Sequence, residues 1–399
     1  MITGEASSKK KAGTNGSCGR RAVVFLEANP FASRLHVLGP MVKGAAASGQ
    51  HIFICGPTRA AGTDFSEFEK GLPEGIGYSA VRTGSPLSAR ARVTSVLLFR
   101  LLLAARDLLR QYEGRTLVLT AIDDYFSTLP WLSFALRLLF PRTRIIVMRY
   151  RVADLMPSET TSVRQLQKRL LLQMLDKVAR PETAIFDERV PREPRLHILP
   201  DPWTGPFGSI SRSVARKHLA WPDEVETVLL VGGQDERKGF DVAVAALKKL
   251  HSKRANVCVT LVGKVASQLV PQLLDLAESF GDSFIHVSEY ISDEDLSAFF
   301  SASSVVLLPY HTAFTSTSGV LVRAAASSTP VVASEHGLVG WRTRQHSLGS
   351  TFVYPDAAGL CSAIVNTLDS TFDPSCGLQF ADACTEDMLS LSIEDLLHE

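Results

Sequence analysis

The chain has 399 residues, which is long for a single hydrophobic core and predicts two domains. Its 42 basic residues nearly balance 41 acidic ones, and a net charge of +1 gives no electrostatic basis for binding nucleic acid. The six cysteines are dispersed, with no CxxC or Cys/His cluster. That spacing argues against a zinc site and favours reduced thiols in a cytoplasmic protein.

The first twenty residues are polar and rich in Gly, Ser and Lys, so we expect a disordered basic arm over residues 1–20. They lack the apolar h-region of a secretory signal. The nearest approach to a membrane-spanning segment is Val93–Leu109, which Arg100 and Arg106 interrupt.

Apolar runs alternate with helical patterns from residue 21 to residue 203, as is typical of a parallel sheet covered by helices on both faces. The predicted strands are Ala22–Ala28, His51–Cys55, Ile76–Val81, Thr116–Ile122, Arg144–Tyr150, Ala184–Asp187 and Leu196–Leu199. The predicted helices are Ser33–Ser48, one within Pro86–Tyr112, Thr128–Phe140 and Val163–Ala179.

Proline and glycine then crowd the chain, and Asp201–Pro222 is predicted to be a linker. A second alternating unit follows over residues 204–370. Its predicted strands are Thr227–Val231, Val257–Val262, Ile285–Val287, Val305–Leu308, Val331–Ala333 and Phe352–Tyr354, and its predicted helices are Phe240–His251, Gln268–Phe280, Leu296–Ser301, Val320–Ala326 and Ala357–Leu368. Residues 371–399 are predicted to form a tail or a helix. One arrangement of this segment is that it packs back on the first domain. Two such units place a ligand at the carboxyl ends of their strands, in the cleft between them.

The first candidate site is the run VGGQDERKGF, from Val231 to Phe240. Two glycines after a strand let backbone N–H groups approach an anion, and Lys238 at a helix start adds a positive charge. An ordinary turn is the alternative interpretation. The run matches neither a Walker loop nor GxGxxG.

The second candidate site is the segment Leu307–Gly337, in which a hydroxyl-rich loop leads into a helix. Ser318 is expected to cap that helix, and Gly319 permits close approach of a phosphate to the helix start. The alternative is a capped helix with no ligand. Both candidates follow strands of the same unit, so both should lie at one edge of its sheet.

The runs GGQDERKGFDVAVAAL, TLVG, EYISDEDLSAFFSASSVVLLPY and TSTSGVLVRAAASSTPVVASEHGLVG resemble the carboxyl-terminal domain of retaining glycosyltransferase family 4 (glycosyl transferases group 1). The resemblance covers about Thr227–Leu368, whereas the first half fits only in its pattern. It implies an α/β GT-B fold, in which two Rossmann-like doubly wound domains face a central cleft.

The resemblance also implies roles for particular residues. Lys238 would contact a diphosphate, the region of Gly263 and Tyr290 would hold a nucleobase, and the loop before Gly319 would hold sugar and diphosphate. The implied donor-binding set is Gly232, Gly233, Lys238, Gly263, Tyr290, Ile291, Thr315, Ser316, Thr317, Ser318 and Gly319.

Two departures from the family pattern concern charge. The family's two glutamates fall on Thr315 and Arg323, and an arginine usually found before the Lys-Gly step falls on Gly232 or Gly233. Arg323 cannot accept a hydrogen bond. Either it grips a phosphate, or it pairs with a nearby acid as a structural residue. Arg237 and Arg323 are the candidates to replace the missing arginine.

The first domain should hold the acceptor. Asp123 follows a predicted strand and is a candidate proton acceptor, although a helix start is the favoured interpretation. The apolar helices Val96–Leu109 and Leu129–Phe140, with Trp131, are interpreted mainly as core. Contact of this face with a membrane that presents a lipid-linked acceptor is the alternative.

The activity implied by the resemblance is transfer of a hexose from a nucleotide-diphosphate donor to a hydroxyl acceptor, with retention of configuration, in glycan biosynthesis. The catalytic candidates are Lys238, Arg323 and Asp123. The acceptor would be a glycan, a lipid-linked molecule or a small molecule, and we expect no metal and no cofactor beyond the nucleotide sugar. The alternative is a GT-B binding or scaffolding protein without catalysis.

Overall fold

The computed structural model describes residues 21–28, 32–57, 72–81, 95–152, 155–156 and 163–398 of the chain. Within these residues, two parallel sheets flanked by helices follow one another along the chain. The predicted arm at residues 1–20 and the start of the segment at 86–94 lie outside the described residues.

The first sheet has seven strands in the order β3-β2-β1-β4-β5-β6-β7. Neighbouring strands are parallel, and the residues of β1 from Ala22 to Leu26 are completely buried, as expected for a strand covered on both faces. The strands are β1 Arg21–Leu26, β2 His51–Pro57, β3 Gly77–Val81, β4 Gly114–Leu119, β5 Arg144–Arg149, β6 Glu182–Ile185 and β7 Leu196–Ile198.

In the described part of the first half, four helices flank the sheet, and each lies where a helical pattern was predicted. They are α1 Ala32–Ala47, α2 Ser95–Leu109, α3 Leu129–Leu139 and α4 Val163–Val178. Helix α2 buries Leu98, Leu101 and Leu102 against the sheet, which is the spacing of one helix face.

The second sheet has six parallel strands in the order β10-β9-β8-β11-β12-β13. They are β8 Glu226–Val231, β9 Val257–Val262, β10 Phe284–Val287, β11 Val305–Leu308, β12 Val331–Ser334 and β13 Gly349–Phe352. The last strand was predicted at Phe352–Tyr354, and the structure corrects its position. Strand β12 pairs Val331 with Gly349 and Ser334 with Phe352, so pairing with β12 decides the bounds of β13.

The second half contains nine described helices. They are α5 Arg212–His218, α6 Phe240–Lys253, α7 Val270–Phe280, α8 Asp293–Ala302, α9 Gly319–Ala326, α10 Gly337–Gln345, α11 Ala357–Asp369, α12 Ser375–Asp382 and α13 Glu386–His398. Ser292 caps helix α8, because its hydroxyl accepts the N–H of Asp295 at 3.1 Å, as the capping pattern predicts.

Helix α5 lies inside the segment 201–222 that was predicted to be a linker, and the structure corrects that prediction. Ser211 caps the helix by accepting the N–H of Val214 at 3.4 Å. Only Ala215 and Arg216 are buried, so the segment carries no apolar periodicity that would reveal a helix.

The last helix, α13, packs against α1 of the first domain. Ser390 donates a hydrogen bond to the carbonyl of Pro40 at 2.9 Å, and Arg144 of β5 donates to the carbonyl of Leu396 at 2.8 Å. Gly44 provides the space for this contact, because a Cβ there would collide with the backbone of Ser390. The end of the described chain therefore crosses from the second domain to the first.

Most apolar side chains of α2 and α3 lie in the core of the first domain, which confirms the prediction, but both helices also carry exposed apolar side chains on their outer faces. Val96 is 63% exposed, Phe99 45%, Phe134 60% and Leu138 79%. Among the described residues, no helix combines the length and apolar character needed to span a membrane.

The contact of α13 with the first domain predicts unequal effects for two substitutions on one helix. Ile393 is 3% exposed and Leu391 is 54% exposed. Ile393→Ala should lower the free energy of unfolding by about 2–5 kcal/mol, because it leaves a cavity beneath the helix. Leu391→Ala should change it by about 0.5 kcal/mol or less. Urea unfolding measures both, and equal effects would contradict docking of α13.

Candidate functional site

The predicted site residues of the second domain meet at the carboxyl edge of its sheet. Gly232 follows β8, Gly263 follows β9, and Pro309 follows β11. These three strands are neighbours in the order β9-β8-β11, so their ends lie side by side. The structure thus brings the two candidate segments of the sequence together at one edge.

Backbone turns pack tightly at this edge. Gly239 has φ +66°, and a Cβ there would collide with the carbonyl oxygen of Pro309. Gly263 has φ +141°, and a Cβ there would collide with the carbonyl of Gly232. Only glycine satisfies both the conformation and the space at these two positions.

Lys238 lies at the centre of this edge. It ends a short 3₁₀ turn whose cap, Asp235, accepts the N–H of Lys238 at 2.9 Å. Its Nζ donates to the carbonyl of Val231 at 3.2 Å and lies 5.8 Å from the centre of the Tyr310 ring. Burial, assisted by the charge of Arg237 and opposed by that of Asp235, lowers the pKa of Lys238 to about 8.

The start of α9 provides backbone donors beside this lysine. Ser318 was expected to cap the helix, but its hydroxyl instead shares a hydrogen bond with the hydroxyl of Tyr310 at 3.0 Å and makes no side-chain cap. Burial raises the pKa of Tyr310 to about 12, so the phenol stays protonated. The first N–H groups of α9, at Gly319 and Val320, therefore remain uncapped by a side chain and available to an anion.

Arg323 lies one turn further along α9. Its Nη1 lies 3.2 Å from the position that a Cβ on Gly319 would occupy, so the guanidinium points back toward the helix start. It stacks on Phe207 with its Cζ 5.2 Å from the ring centre, and its buried Nε has no hydrogen-bond partner in the described chain. Burial lowers its pKa, against the opposing charges of Asp293 and Asp201.

These contacts bear on the two interpretations of Arg323. Within the described ranges, no carboxylate lies close enough to form an ion pair with it, so the structural-pair alternative lacks a partner there. The other candidate cation, Arg237, is exposed and stacks 4.9 Å from the centre of the Phe314 ring.

The region expected to hold a nucleobase is more open. The carbonyl oxygen of Gly263 accepts a hydrogen bond from Nε2 of His286 at 3.0 Å, and the N–H of Gly263 donates to the carbonyl of Val287 at 2.8 Å. Ile291 is half-buried, whereas Tyr290 is 94% exposed. The structure places Tyr290 beyond the end of β10 with its ring in solvent, rather than packed against the phosphate-binding turns.

In the first domain, Asp123 holds a loop together. Its carboxylate accepts the N–H groups of Tyr150 and Arg151 at 2.6 and 3.0 Å and pairs with Lys168 at 3.0 Å. Its side chain is only 2% exposed. In this arrangement the carboxylate orders the loop after β5 and has little access to an acceptor hydroxyl.

The sequence interpretation missed two buried charges at the edge of the first sheet. Glu27 follows β1, is 2% exposed and accepts the hydroxyl of Thr120 at 2.6 Å. Arg149 ends β5 and is 4% exposed. The signal was present, because each charge directly follows an uninterrupted apolar run, VVFL and IIVM.

A third missed residue, Arg342 of α10, joins the two domains. It is 2% exposed, forms a bidentate ion pair with Glu188 at 2.9 and 2.8 Å, and donates to Asp201 at 3.0 Å. It also donates to the carbonyl of Phe186 at 2.8 Å. Nothing in the local sequence around Arg342 indicates these long-range contacts.

Residues 225–370 match the family described as Glycosyl transferases group 1. A phosphatidyl-myo-inositol mannosyltransferase of Mycolicibacterium smegmatis is 30% identical over 152 residues, which are 37% of this chain and 38% of that protein. The matched part of this chain spans 38% of the length of that relative.

Solved structures resemble the whole chain. Sucrose-phosphate synthase of Thermosynechococcus elongatus has a TM-score of 0.66 and 18% identity, covering 95% of this chain and 98% of that one. HepE of Anabaena in complex with UDP-glucose has a TM-score of 0.64 and 14% identity, covering 94% and 99%. WaaG, described as a glycosyltransferase involved in lipopolysaccharide biosynthesis, has a TM-score of 0.56 and 16% identity, covering 94% and 95%. The chain therefore has the GT-B fold, and its residues 225–370 are similar to the group 1 glycosyl transferases.

The depressed pKa of Lys238 predicts a pH-dependent stability difference. The folded protein releases this proton near pH 8, whereas an unfolded, solvated lysine has its usual pKa of 10.5. Between these pH values the unfolded state binds more protons, so this group makes the folded state more stable as pH rises. Lys238→Met removes the effect. The variant's stability relative to wild type should be higher at pH 7 than at pH 9.5, measured by urea unfolding, and a pH-independent difference would contradict burial of the ammonium.

Proposed function

We propose that this chain is a retaining glycosyltransferase of the family 4 type, which moves a hexose from a nucleotide-diphosphate donor to a hydroxyl acceptor. The observation that carries the proposal is the pairing of Lys238 with the uncapped start of α9 at Gly319. Both are anion-binding groups, and in the described chain neither has an anionic side chain bound to it. Retention of configuration rests on the sequence resemblance.

The electrostatics of the site suit a departing diphosphate. With its pKa near 8, Lys238 becomes fully charged when a phosphate approaches, because an opposite charge favours the protonated form. Tyr310 lies between Lys238 and the start of α9, with its ring centre 5.8 Å from Nζ of Lys238 and its hydroxyl 3.0 Å from that of Ser318. Arg323 adds a second cation beside Gly319. Charge that develops on the leaving group is stabilised by donors that are already in place.

These cations also supply the charge compensation that a metal provides in other transferases, so we propose a mechanism without a metal or a further cofactor. The HepE structure contains UDP-glucose, which makes UDP-sugars the first donors to test. We propose that the acceptor enters from the first domain, at the edge formed by Glu27, Asp123 and Arg149. Five described cysteines are free thiols, in keeping with the expected cytoplasmic location.

Nucleotide binding and donor hydrolysis test the proposal. Lys238→Ala should weaken UDP or GDP binding about 10- to 100-fold, because it removes a charged hydrogen-bond donor to phosphate. Lys248→Ala is the matched control, since Lys248 is an exposed lysine of the next helix that pairs with Asp275 at 2.6 Å. Calorimetric titration measures affinity, and release of free sugar from UDP- and GDP-sugars measures turnover. Equal affinity of Lys238→Ala and wild type would refute the assignment.

Arg323→Gln in the same titrations distinguishes the two roles of Arg323. A phosphate-binding role predicts weaker nucleotide binding and an unchanged free energy of unfolding. A structural role predicts unchanged nucleotide binding and a lower free energy of unfolding.

The alternative of a binding protein without catalysis draws its support from Thr315 and Arg323, which stand where the family has carboxylates. It predicts nucleotide binding with no hydrolysis or transfer, and the same assays separate it from the enzyme.

We further propose that the exposed face of α2, α3 and α4 contacts an anionic membrane. Each of its large apolar side chains is at least 45% exposed, and exposed arginines alternate with them along the helices. The apolar members are Val96, Phe99, Phe134, Leu138, Val163, Leu166 and Leu170, and the basic members are Arg100, Arg137 and Arg169. Apolar side chains flanked by cations suit the interface of a bilayer that contains anionic lipids.

Cosedimentation with phosphatidylglycerol vesicles tests this contact. The double variant Phe134→Ser/Leu138→Ser should bind about tenfold more weakly, because each substitution removes apolar area from the bilayer interface. Leu274→Ser is the control, since Leu274 is 63% exposed on α7 of the second domain. Undiminished binding by the double variant, or absence of binding by wild type, would exclude this face as a membrane contact.

A further inference from the structure

The guanidinium of Arg323 rests on an aromatic ring. Its Cζ lies 5.2 Å from the centre of the Phe207 ring, and among the described residues its buried Nε has no hydrogen-bond partner. A guanidinium carries five N–H donors in one plane. A ring beneath that plane fixes its orientation by cation–π attraction and uses none of these donors. A carboxylate would also fix the guanidinium, but it would occupy the donors and cancel the charge.

The edge of this guanidinium lies beside the start of α9. Side chains of a helix lean toward its N-terminus, and Arg323 follows Gly319, the first residue of α9, by four positions. Its Nη1 lies 3.2 Å from the position that a Cβ on Gly319 would occupy. Phe207 therefore covers one face of the guanidinium, while the edge lies near the backbone N–H groups of the helix start. That geometry suits a bidentate contact with a phosphate bound there.

The ring of Phe207 is itself held by two aromatic neighbours. It is 5% exposed and meets the ring of Phe300 edge to face, with the ring centres 5.5 Å apart and the planes at 87°. The Trp203 ring packs against it at 6.2 Å and 77°. Phe300 belongs to α8 and is completely buried in the second domain. Because edge-to-face contacts favour one relative orientation of the rings, Phe207 has little freedom to turn away from the guanidinium.

The backbone on either side of Phe207 is held as well. The carbonyl of Pro206 accepts the hydroxyl of Ser297, on α8, at 3.0 Å. Gly208 has φ +77°, and a Cβ there would collide with the carbonyl oxygen of Ala326, the last residue of α9. The segment that follows the first domain thus packs on both helices, and this packing holds the ring under the guanidinium.

We propose that Phe207 is a positioning residue, which holds the guanidinium of Arg323 beside the start of α9 with its N–H donors available to a phosphate group. An unsupported arginine side chain loses rotamer freedom when a phosphate binds, and that loss opposes binding. Phe207 imposes this order in advance, so Arg323 binds the phosphate more tightly. That the phosphate belongs to a nucleotide rests on the proposed function, whereas the support of Arg323 by Phe207 does not.

The mobility of the Arg323 side chain tests this support in the absence of nucleotide. Fluorine withdraws electrons from the face of a phenyl ring and weakens its attraction for a cation, while the shape of the side chain is nearly kept. With isotope-labelled arginine, the Nε–H order parameter of Arg323 should be near that of rigid backbone, about 0.85, and trifluorophenylalanine in place of Phe207 should lower it to about 0.6 or less. Loss of the signal in Arg323→Gln assigns it. The same order parameter with both rings would overturn the proposal.

Calorimetric titration with UDP, or with GDP where wild type prefers it, tests the consequence for binding. Trifluorophenylalanine in place of Phe207 should weaken binding about threefold or more, and it should have no effect in an Arg323→Gln background, because both changes act through one guanidinium. The same replacement of Phe280 is the matched control, since Phe280 is also 5% exposed but packs its ring on His251 at 4.5 Å. The control should bind as wild type does.

The outcomes separate the positioning role from the proposed function. Unchanged affinity after fluorination of Phe207, with Lys238→Ala still impaired, would reject the positioning role and leave the proposed function intact. Equal weakening with and without Arg323 would also reject it, because the ring would then act through another group. Absence of nucleotide binding by wild type would reject the proposed function, and the order parameter would still decide whether Phe207 supports Arg323.

Discussion

The buried guanidinium of Arg342 constrains the relation between the two domains. A charge at this depth is tolerated only when several partners replace its hydration, and here Glu188, Asp201 and the carbonyl of Phe186 supply them. These partners lie on the first domain and on the linker, while Arg342 belongs to the second domain. Separation of the domains would leave the charge unpaired, so this contact favours the arrangement in which the carboxyl edges of both sheets face one cleft.

Two cations, Lys238 and Arg323, lie in this cleft, and in the described chain neither has a carboxylate bound to it. Burial lowers the pKa of Lys238, and Arg323 is partly buried over Phe207 without an ion pair in the described chain. Both side chains flank the uncapped start of α9 at Gly319. Such groups are unfavourable in the empty protein and become favourable when an anion arrives, which is a pattern typical of functional sites.

Arg323 stands where the family that this chain resembles has a glutamate, so the net charge of this site is more positive than in that family. A carboxylate there would repel a diphosphate and accept hydrogen bonds from hydroxyls, whereas a guanidinium attracts the diphosphate and only donates. Thr315 removes a second negative charge. In the first domain, the buried carboxylates of Glu27 and Asp123 are already bound to neighbouring groups, so they act mainly by ordering the backbone at the edge of that sheet.

The sequence by itself determined the alternation of strands and helices, the two doubly wound domains, and the meeting of Gly232, Lys238 and Gly319 at one sheet edge. These features depend on local periodicity, on glycine and on the direction of parallel strands, all of which are legible along the chain. Tertiary structure alone decided four others: the helix at Arg212–His218, the Ser318–Tyr310 hydrogen bond that replaces a cap, the exposed face at Phe134 and Leu138, and the Arg342 cluster. Each depends on residues that are distant in sequence, or on which face of an apolar helix meets a neighbour, and periodicity carries no information about either.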